Sequence, residues 1–373
     1  MPVSKSHLHR LLIASVLSGA RDCLATEAGD SADIAATRRC LAALAGDDLA
    51  PRLECGESGS TLRFLAPVAA ALGKRPVFVA QGRLASRPSI DYSGGIRPGL
   101  HELPGDVSSQ FVTGLLFALP LLDGDSEIRF SGPLQSRGYV DMTLDVLRMA
   151  GIRAEETAGG FLVPGSQRYS PVDLGAAERD WSGAAFWLAM DAMGSSVEVP
   201  GLNPDSRQPD RAVVRILSDF AEPGRIGLDV SAFPDLFPAL AVAAARRDGE
   251  TVFTGIGRLR LKESDRVAAM ADVLARFGRD PGVEEARFIV RGSKSPLRGG
   301  SFETFGDHRI AMAIAVGATV ADSPVEIDDG GCMAKSYPGF ARQFARCRAF
   351  GTILARCRAT ADRPRNVPGG FEK

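Results

Sequence analysis

The chain has 373 residues, 45% of them hydrophobic and 24% charged, and its formal net charge at pH 7 is −1. These values are typical of a globular protein with one large domain or two smaller ones. A near-neutral chain lacks the basic excess that binding to nucleic acid needs, and no apolar run is long enough to cross a membrane. Composition therefore argues against a nucleic-acid binder and a membrane protein, and it leaves room for a local basic pocket.

Cysteine and histidine usage gives no indication of a metal site. The six cysteines include no CxxC pair, and the chain has only four histidines. This pattern predicts no metal ion and favours the reduced thiols of a cytoplasmic protein. The N-terminal apolar run is interrupted by Ser15 and Ser18, so we do not expect a signal peptide.

Six segments share one pattern, in which a short polar opening begins a run that is apolar nearly all the way round. The openings are 4–6, 58–61, 108–110, 180–182, 234–235 and 307–309. Runs of this kind predict buried helices, and the Ser and Asp residues at their starts are typical of helix N-caps. If the six N-termini converge, their partial positive charges together form an anion site.

Further helices and strands lie between these segments. Helical periodicity covers residues 33–44, 140–149 and 266–274, and each of these stretches runs toward a glycine of the kind that ends helices. Short β-branched runs predict strands at 76–79, 196–199 and 251–253. The alternation predicts an α/β fold of about six similar units, with the best boundary near residues 176–179.

Two arginines are embedded beside long apolar runs. Arg63 lies inside the second opening and Arg309 at the start of the sixth. A buried guanidinium group needs compensation, and carboxylates or phosphates match its fork geometry best. We therefore expect a buried anionic partner for each of them.

Eight short motifs follow one another along the chain: Val3-Ser4-Lys5-Ser6 with Arg10, Glu57-Ser58-Gly59-Ser60-Thr61-Leu62-Arg63, Arg87-Pro88, Ser108-Ser109-Gln110-Phe111, Ser136-Arg137-Gly138-Tyr139, Leu261-Lys262-Glu263-Ser264-Asp265-Arg266, Asp307-His308-Arg309-Ile310-Ala311-Met312 and Lys335-Ser336-Tyr337-Pro338. In this order the chain resembles the 5-enolpyruvylshikimate-3-phosphate synthases from about residue 2 to residue 345. Eight motifs in register make the resemblance specific.

The resemblance implies an α/β fold of two domains. Each domain consists of three βαβαββ-type repeats, an inside-out α/β barrel whose buried helices point their N-termini into the interdomain cleft. Residues 1–178 correspond to the first domain, shortened near 88–107, and residues 179–345 to the second. Residues 346–373 have no counterpart and predict a basic, partly disordered tail. The family is typically monomeric, so we expect a monomer.

The resemblance also implies two small-molecule substrates and no cofactor. Shikimate 3-phosphate would be held by Lys5, Ser6, Arg10, Ser108, Ser109, Gln110, Ser136, Tyr139, Asp235 and Lys262. Phosphoenolpyruvate would be held by Lys5, Gly59, Arg87, Gln110, Arg266, Arg309 and Lys335. Its phosphate and carboxylate bring about three negative charges together, so several cations are physically required.

The expected reaction adds the 5-hydroxyl of the acceptor to C2 of phosphoenolpyruvate and then eliminates phosphate. It needs a base for the hydroxyl and an acid for the methylene carbon. By resemblance, Asp235 serves the hydroxyl and Glu263 serves the methylene, with Lys5 as the third catalytic residue. Arg258 and Ala334 stand at positions where many family members have asparagine. Glu57 stands at a position where asparagine is common in one branch of the family.

Two alternatives remain open at this point. The first is the enolpyruvyl transferase that acts on UDP-N-acetylglucosamine, but residues 83–95 lack the reactive cysteine of that family. The second is a trimmed homologue without catalytic activity, suggested by the short stretch between Pro88 and Val107.

Overall fold

The computed structural model describes residues 1–106 and 108–347, and in them the chain forms an α/β fold. The helices are α1 (Lys5–Leu17), α2 (Ala32–Ala45), α3 (Gly59–Ala71), α4 (Ser109–Ala118), α5 (Arg137–Met149), α6 (Trp181–Ala192), α7 (Val213–Asp219), α8 (Phe237–Ala244), α9 (Arg266–Arg276), α10 (His308–Ala318) and α11 (Phe340–Arg346). The strands are β1 (Arg52–Gly56), β2 (Val77–Ala80), β3 (Gly99–Pro104), β4 (Ser126–Ser131), β5 (Glu155–Thr157), β6 (Gly160–Val163), β7 (Ile226–Asp229), β8 (Gly249–Thr254), β9 (Gly282–Val283), β10 (Phe288–Gly292), β11 (Gly300–Phe302) and β12 (Val325–Ile327). The predicted α/β class is confirmed.

Within the described residues, two four-stranded sheets have the same topology. Their strand orders are β3-β4-β6-β5 and β7-β8-β10-β9. In each sheet the first two strands are parallel, and the remaining neighbours are antiparallel. Two parallel pairs, β1-β2 and β11-β12, make up the other sheets of this part of the chain.

Five of the six predicted helix openings begin with a side-chain cap. In these five helices, a Ser or Asp side chain accepts a hydrogen bond from a backbone N–H of the first turn; the caps are Ser4, Ser58, Ser108, Asp180 and Asp307. Caps of this type stabilise a helix by about 1 kcal/mol each. The N-cap prediction is confirmed at these positions because it depends on local sequence alone.

The sixth opening is different. Pro234–Leu236 forms a 3₁₀ turn ahead of α8, and no side chain caps that helix. The carboxylate of Asp235 is therefore not used as a cap and is directed to other partners, which are described with the site below.

One predicted strand is wrong. The runs at 76–79 and 251–253 are strands β2 and β8, but residues 196–199 pair with no strand of the described chain. Val197 and Val199 pack against the neighbouring core, and the N–H of Val197 donates to Asp191. The alternating pattern therefore reflects packing of an extended segment without a sheet partner, which sequence alone does not distinguish from a strand.

The buried apolar side chains form two clusters. One draws its members from Leu11 to Tyr169, and the other from Trp181 to Phe340. Two short segments pair side by side near the boundary between the clusters. The N–H of Ser4 donates to the carbonyl of Glu178 (2.7 Å), and the N–H of Asp180 donates to the carbonyl of Pro2 (3.1 Å). The first residues are thus tied to the segment that links the two clusters.

None of the helices described is both long and apolar enough to cross a membrane. The predicted tail covers residues 346–373. Its first residue, Arg346, is the last residue of α11, and residues 348–373 lie outside the described part of the chain.

Candidate active site

The starts of several helices meet at one cleft. All but one of the residues predicted to bind substrate or to act in catalysis line it: Lys5, Ser6, Arg10, Gly59, Arg87, Ser108, Ser109, Gln110, Ser136, Tyr139, Asp235, Lys262, Glu263, Arg266 and Arg309. The exception is Lys335. The opening at 180–182 also lies outside the lining, so the predicted convergence of six helix starts holds for five of them.

The cleft is strongly basic although the chain is nearly neutral. Among the described residues it is lined by seven Lys and Arg side chains and three carboxylates, a formal excess of four positive charges. The carboxylates are Asp33, Asp235 and Glu263. A concave surface with this charge attracts small polyanions.

Asp235 is the centre of the ion pairs in the cleft. Its carboxylate lies 2.8 Å from Arg266 Nη1, 3.1 Å from Arg309 Nη2 and 3.3 Å from Lys262 Nζ. Burial alone raises the pKa of Asp235, but Arg309, Lys262 and Arg266 together outweigh it and hold the pKa well below its ordinary value. Asp235 is therefore ionised at neutral pH, and Arg309 has the anionic partner that the sequence predicted.

Glu263 is held in the same network through Arg266. The guanidinium group of Arg266 donates to Glu263 Oε2 (2.8 Å) and to Asp307 Oδ2 (2.8 Å), and it is almost fully buried. Burial alone raises the pKa of Glu263, but Arg266, His308 and Arg87 hold it well below its ordinary value. The two carboxylates expected to transfer protons thus share one buried cation.

Lys5 and Lys335 meet at a carboxylate that sequence reasoning missed. Lys5 Nζ donates to Asp33 Oδ2 (2.8 Å), and Lys335 Nζ lies 3.7 Å from Asp33 Oδ1. Burial lowers the pKa of Lys5, but Asp33 and Glu263 more than offset this and leave the pKa raised, so Lys5 is cationic. The sequence predicts a helix that begins at Asp33, whereas α2 begins at Ala32 and is capped by the side chain of Ser31.

Lys335 differs from the prediction in its position. It does not line the cleft; its ammonium group donates to the carbonyl of Glu57 (2.9 Å) and lies 3.3 Å from Glu57 Oε2. The turn that carries Lys335 belongs to the second half of the chain, and Glu57 and Asp33 belong to the first. The sequence could place Lys335 near the site but could not identify its partners across the cleft.

Serine hydroxyls and arginines with neutral hydrogen-bond partners also line the described part of the cleft. Ser136 has a left-handed backbone (φ 54°), and its hydroxyl donates to the carbonyl of Ser231 and accepts from Arg258 Nη1 (2.9 Å). In the described chain, Arg10 donates only to neutral oxygens, among them Thr143 Oγ1 (2.8 Å) and the carbonyl of Tyr139 (2.9 Å). Burial lowers the pKa of Arg10 to about 9, which leaves it cationic and available to an anion.

Among the described residues Arg63 has no carboxylate partner, unlike Arg309. Its guanidinium group donates to Gln110 Oε1 (2.7 Å) and to the carbonyl of Pro88 (2.9 Å), and it lies over the ring of Phe111 at 5.4 Å. Several neutral oxygens and an aromatic face compensate a partly desolvated guanidinium group as a carboxylate would. Arg63 thereby orients Gln110, whose amide nitrogen donates to Ser60 Oγ (2.9 Å).

The chain is similar in fold to two solved enzymes. EPSP synthase from Acinetobacter baumannii superposes with a TM-score of 0.68 at 23% identity, over 93% of this chain and 94% of that one. The enolpyruvyl transferase NikO from Streptomyces tendae superposes with a TM-score of 0.63 at 15% identity, over 93% of each chain. At these identities the comparison defines the fold class alone.

Sequence comparison identifies the family within that class. The family model for EPSP synthase (3-phosphoshikimate 1-carboxyvinyltransferase) matches residues 89–344. The 3-phosphoshikimate 1-carboxyvinyltransferase of Clostridium kluyveri is 37% identical over 92% of this chain and 93% of its own length. That of Methanocorpusculum labreanum is 34% identical over 93% and 95%. The chain belongs to the EPSP synthase family, as its motifs indicated.

Proposed function

We propose that this protein transfers the enolpyruvyl group of phosphoenolpyruvate to the 5-hydroxyl of shikimate 3-phosphate, giving 5-enolpyruvylshikimate 3-phosphate and phosphate. The observation that carries the proposal is the cleft itself, where two carboxylates, Asp235 and Glu263, lie among seven Lys and Arg side chains of the described chain. Two polyanionic substrates need such a charge, and an addition–elimination reaction needs such carboxylates. Family membership supports the same reaction.

The acceptor subsite is proposed around the serine hydroxyls that line the cleft. Ser108 and Ser109 would donate to the phosphate of shikimate 3-phosphate, Ser136 would do so after its hydroxyl releases the carbonyl of Ser231, and Arg10 and Lys262 would supply charge. Burial lowers the pKa of Lys262 to about 8, with Asp235 opposing the shift, so Lys262 is mostly cationic at neutral pH. The further members of this subsite are Lys5, Ser6, Gln110, Tyr139 and Asp235.

The donor subsite is proposed around the starts of α3, α9 and α10. A Cβ at Gly59 would lie 2.7 Å from Arg63 Nη1 and 3.6 Å from Arg87 Nη1 and Gln110 Oε1, so the glycine leaves room for the Arg63 guanidinium group at the start of α3. Arg266 is the first residue of α9 and Arg309 the second of α10, and helix N-termini favour anions. Lys5 and Lys335 complete the proposed set around phosphoenolpyruvate.

Proton transfer is assigned to the two carboxylates. Asp235 accepts the proton of the acceptor hydroxyl as its oxygen bonds to C2 of phosphoenolpyruvate, and Glu263 delivers a proton to the methylene carbon, which becomes a methyl group. In the second step Glu263 takes a proton back from that methyl group as the C2–O bond to phosphate breaks. The proton held by Asp235 passes to the leaving phosphate, and Lys5 offsets the charge that develops on it.

The cations of the cleft link substrate binding to these proton transfers. Burial raises the pKa of both carboxylates, but Arg266 and Lys262 lower both, joined by Arg309 at Asp235 and by His308 and Arg87 at Glu263. When anionic substrates engage the same cations, the hold on Asp235 and Glu263 weakens and their pKa values rise toward those of useful bases and acids. Substrate charge thus activates the carboxylates at the moment of reaction.

The proposed architecture has two domains, residues 1–178 and 179–345, each built from three βαβαββ-type repeats that form an inside-out α/β barrel. The two core clusters and the matching topology of the two four-stranded sheets support this division. The contacts of Lys335 with Glu57 and of Arg258 with Ser136 already join the two halves of the site, and domain closure around both substrates would sequester the reaction from water. We place the enzyme in the cytoplasm as a monomer.

Phosphate release tests the function. Purified protein mixed with shikimate 3-phosphate and phosphoenolpyruvate should release phosphate and form the enolpyruvyl product, which mass spectrometry detects. A parallel reaction with UDP-N-acetylglucosamine as acceptor should release none. Absence of phosphate in the first reaction, with normal circular dichroism, would contradict the proposal and favour the non-catalytic alternative.

A further inference from the structure

The ammonium group of Lys335 is enclosed by oxygens from the opposite half of the chain. Its neighbours are the Glu57 carbonyl at 2.9 Å, Glu57 Oε2 at 3.3 Å and Asp33 Oδ1 at 3.7 Å. The lysine side chain is only 8% exposed. These contacts turn Lys335 away from the cleft lining and toward the end of β1.

The two carboxylates beside Lys335 are not equivalent. Asp33 is buried and already accepts from Lys5 at 2.8 Å, whereas the side chain of Glu57 is 47% exposed. In the described chain the paired ion of Glu57 is Lys335. Separating Lys335 from the Glu57 carboxylate therefore costs less than separating it from Asp33, because water can replace the lost contact at Glu57.

Glu57 also contacts the turn that leads to another donor-site cation. A Cβ on Gly82 would overlap the Glu57 carboxylate, so the two are in close contact. Gly82 has a positive φ of 54° and begins the 3₁₀ turn Gly82–Ser86, which Arg87 follows directly. Glu57 thus lies between the elements that carry Lys335 and Arg87.

We propose that Glu57 sets the affinity of the donor subsite. Its carboxylate competes with the anionic donor for Lys335 and so limits how tightly that donor binds. The inference rests on the proposed donor role of Lys335. A negative charge at this distance lowers the affinity of the lysine for any further anion. The carbonyl of Glu57 contributes a contact that does not depend on the side chain, so Lys335 keeps its position when the carboxylate is removed.

Two amide variants test the proposal, Glu57→Gln and Glu57→Asn. Because an ion pair with one half-exposed member is modest in strength, each should lower the KM for phosphoenolpyruvate by about two- to fivefold. Each should also tighten the binding of inorganic phosphate, measured by calorimetric titration, by a similar factor. Glu54→Gln is the matched control, because Glu54 lies on β1, which Glu57 directly follows, is exposed and pairs with Arg52.

The shorter amide separates competition from positioning. If Glu57 merely held Lys335 in place, Glu57→Asn would raise the KM for phosphoenolpyruvate and would do so more than Glu57→Gln. An unchanged or raised KM, or unchanged phosphate affinity, in both variants overturns the proposal. Phosphate titration does not require turnover, so it decides the role of Glu57 even if the wild-type protein proves inactive as a transferase.

Discussion

At the scale of single residues, the site consists of carboxylates whose protonation is controlled by shared cations. Asp235 pairs with three cations and Glu263 with one of the same three. A substitution that removes the carboxylate and keeps its shape therefore removes proton transfer and leaves the cations free for substrate.

We expect Asp235→Asn and Glu263→Gln each to lower kcat by about 10²- to 10⁴-fold, the usual contribution of general acid–base catalysis. Shikimate 3-phosphate should still bind, because its phosphate can take over the freed cations. Steady-state kinetics and calorimetric titration measure the two quantities. Asp272→Asn, on the exposed ion pair with Arg276, is the control, and a near wild-type rate in either variant would refute its assigned role.

Lys335→Met should weaken phosphoenolpyruvate and spare shikimate 3-phosphate. Loss of one charge-assisted contact corresponds to roughly a tenfold or greater rise in the KM for phosphoenolpyruvate. Lys294→Met, outside the cleft, should change neither KM. Equal affinity for phosphoenolpyruvate in the Lys335 variant and the wild type would count against the donor assignment.

Asp210 provides a pH-dependent prediction of stability. Burial and the nearby Asp235 raise the pKa of Asp210 to about 6, and Tyr139 donates to its Oδ2 at 2.7 Å. The folded protein therefore keeps a proton that the unfolded chain loses near pH 4, so this group favours folding at low pH and the contribution is lost as the pH rises through about 6.

Asp210→Asn should remove that pH dependence. The amide oxygen still accepts from Tyr139, and no buried charge forms. At pH 8 the variant should be more stable than wild type by about 1 to 3 kcal/mol, and the difference should vanish near pH 4. Chemical denaturation at both pH values measures it, and a variant less stable at pH 8 would show that the charge of Asp210 is needed.

At the scale of elements, the helices were predictable because their signals are local. The side-chain caps of α1, α3, α4, α6 and α10 stand in the polar openings. The helices at 33–44, 140–149 and 266–274 correspond to α2, α5 and α9. The strand predicted at 196–199 is wrong, because a strand requires a partner that only the tertiary structure provides.

The close packing of α3 against α4 gives an element-scale prediction. A Cβ on Gly114 would overlap the carbonyl oxygen of Arg63 and lie 2.8 Å from Pro67 Cγ. Gly114→Ala should therefore destabilise the fold by about 1 to 3 kcal/mol, the usual range for overpacking. Gly29→Ala is the control, since no atom lies within 4 Å of its Cβ position. Equal melting temperatures for the two variants would contradict this packing.

At the scale of the whole molecule, a chain of net charge −1 carries a local excess of four positive charges at one cleft. Attraction of anionic substrates by such a cleft is screened by salt, because the Debye length falls from roughly 10 Å at 0.1 M to about 3 Å at 1 M. We expect kcat/KM for phosphoenolpyruvate to fall several-fold between these two concentrations of sodium chloride. A salt-independent kcat/KM, with unchanged melting temperature, would argue against electrostatic capture.

The sequence by itself determined the class of fold and most helix starts, because local capping chemistry fixes the backbone there. All but one of the site residues that the family resemblance named line the cleft. The tertiary structure decided their partners, including Asp33 for Lys5, Glu57 for Lys335 and neutral oxygens for Arg63. These contacts join residues 25 to 278 positions apart, and local signals carry no information about which oxygen reaches a cation across a folded cleft.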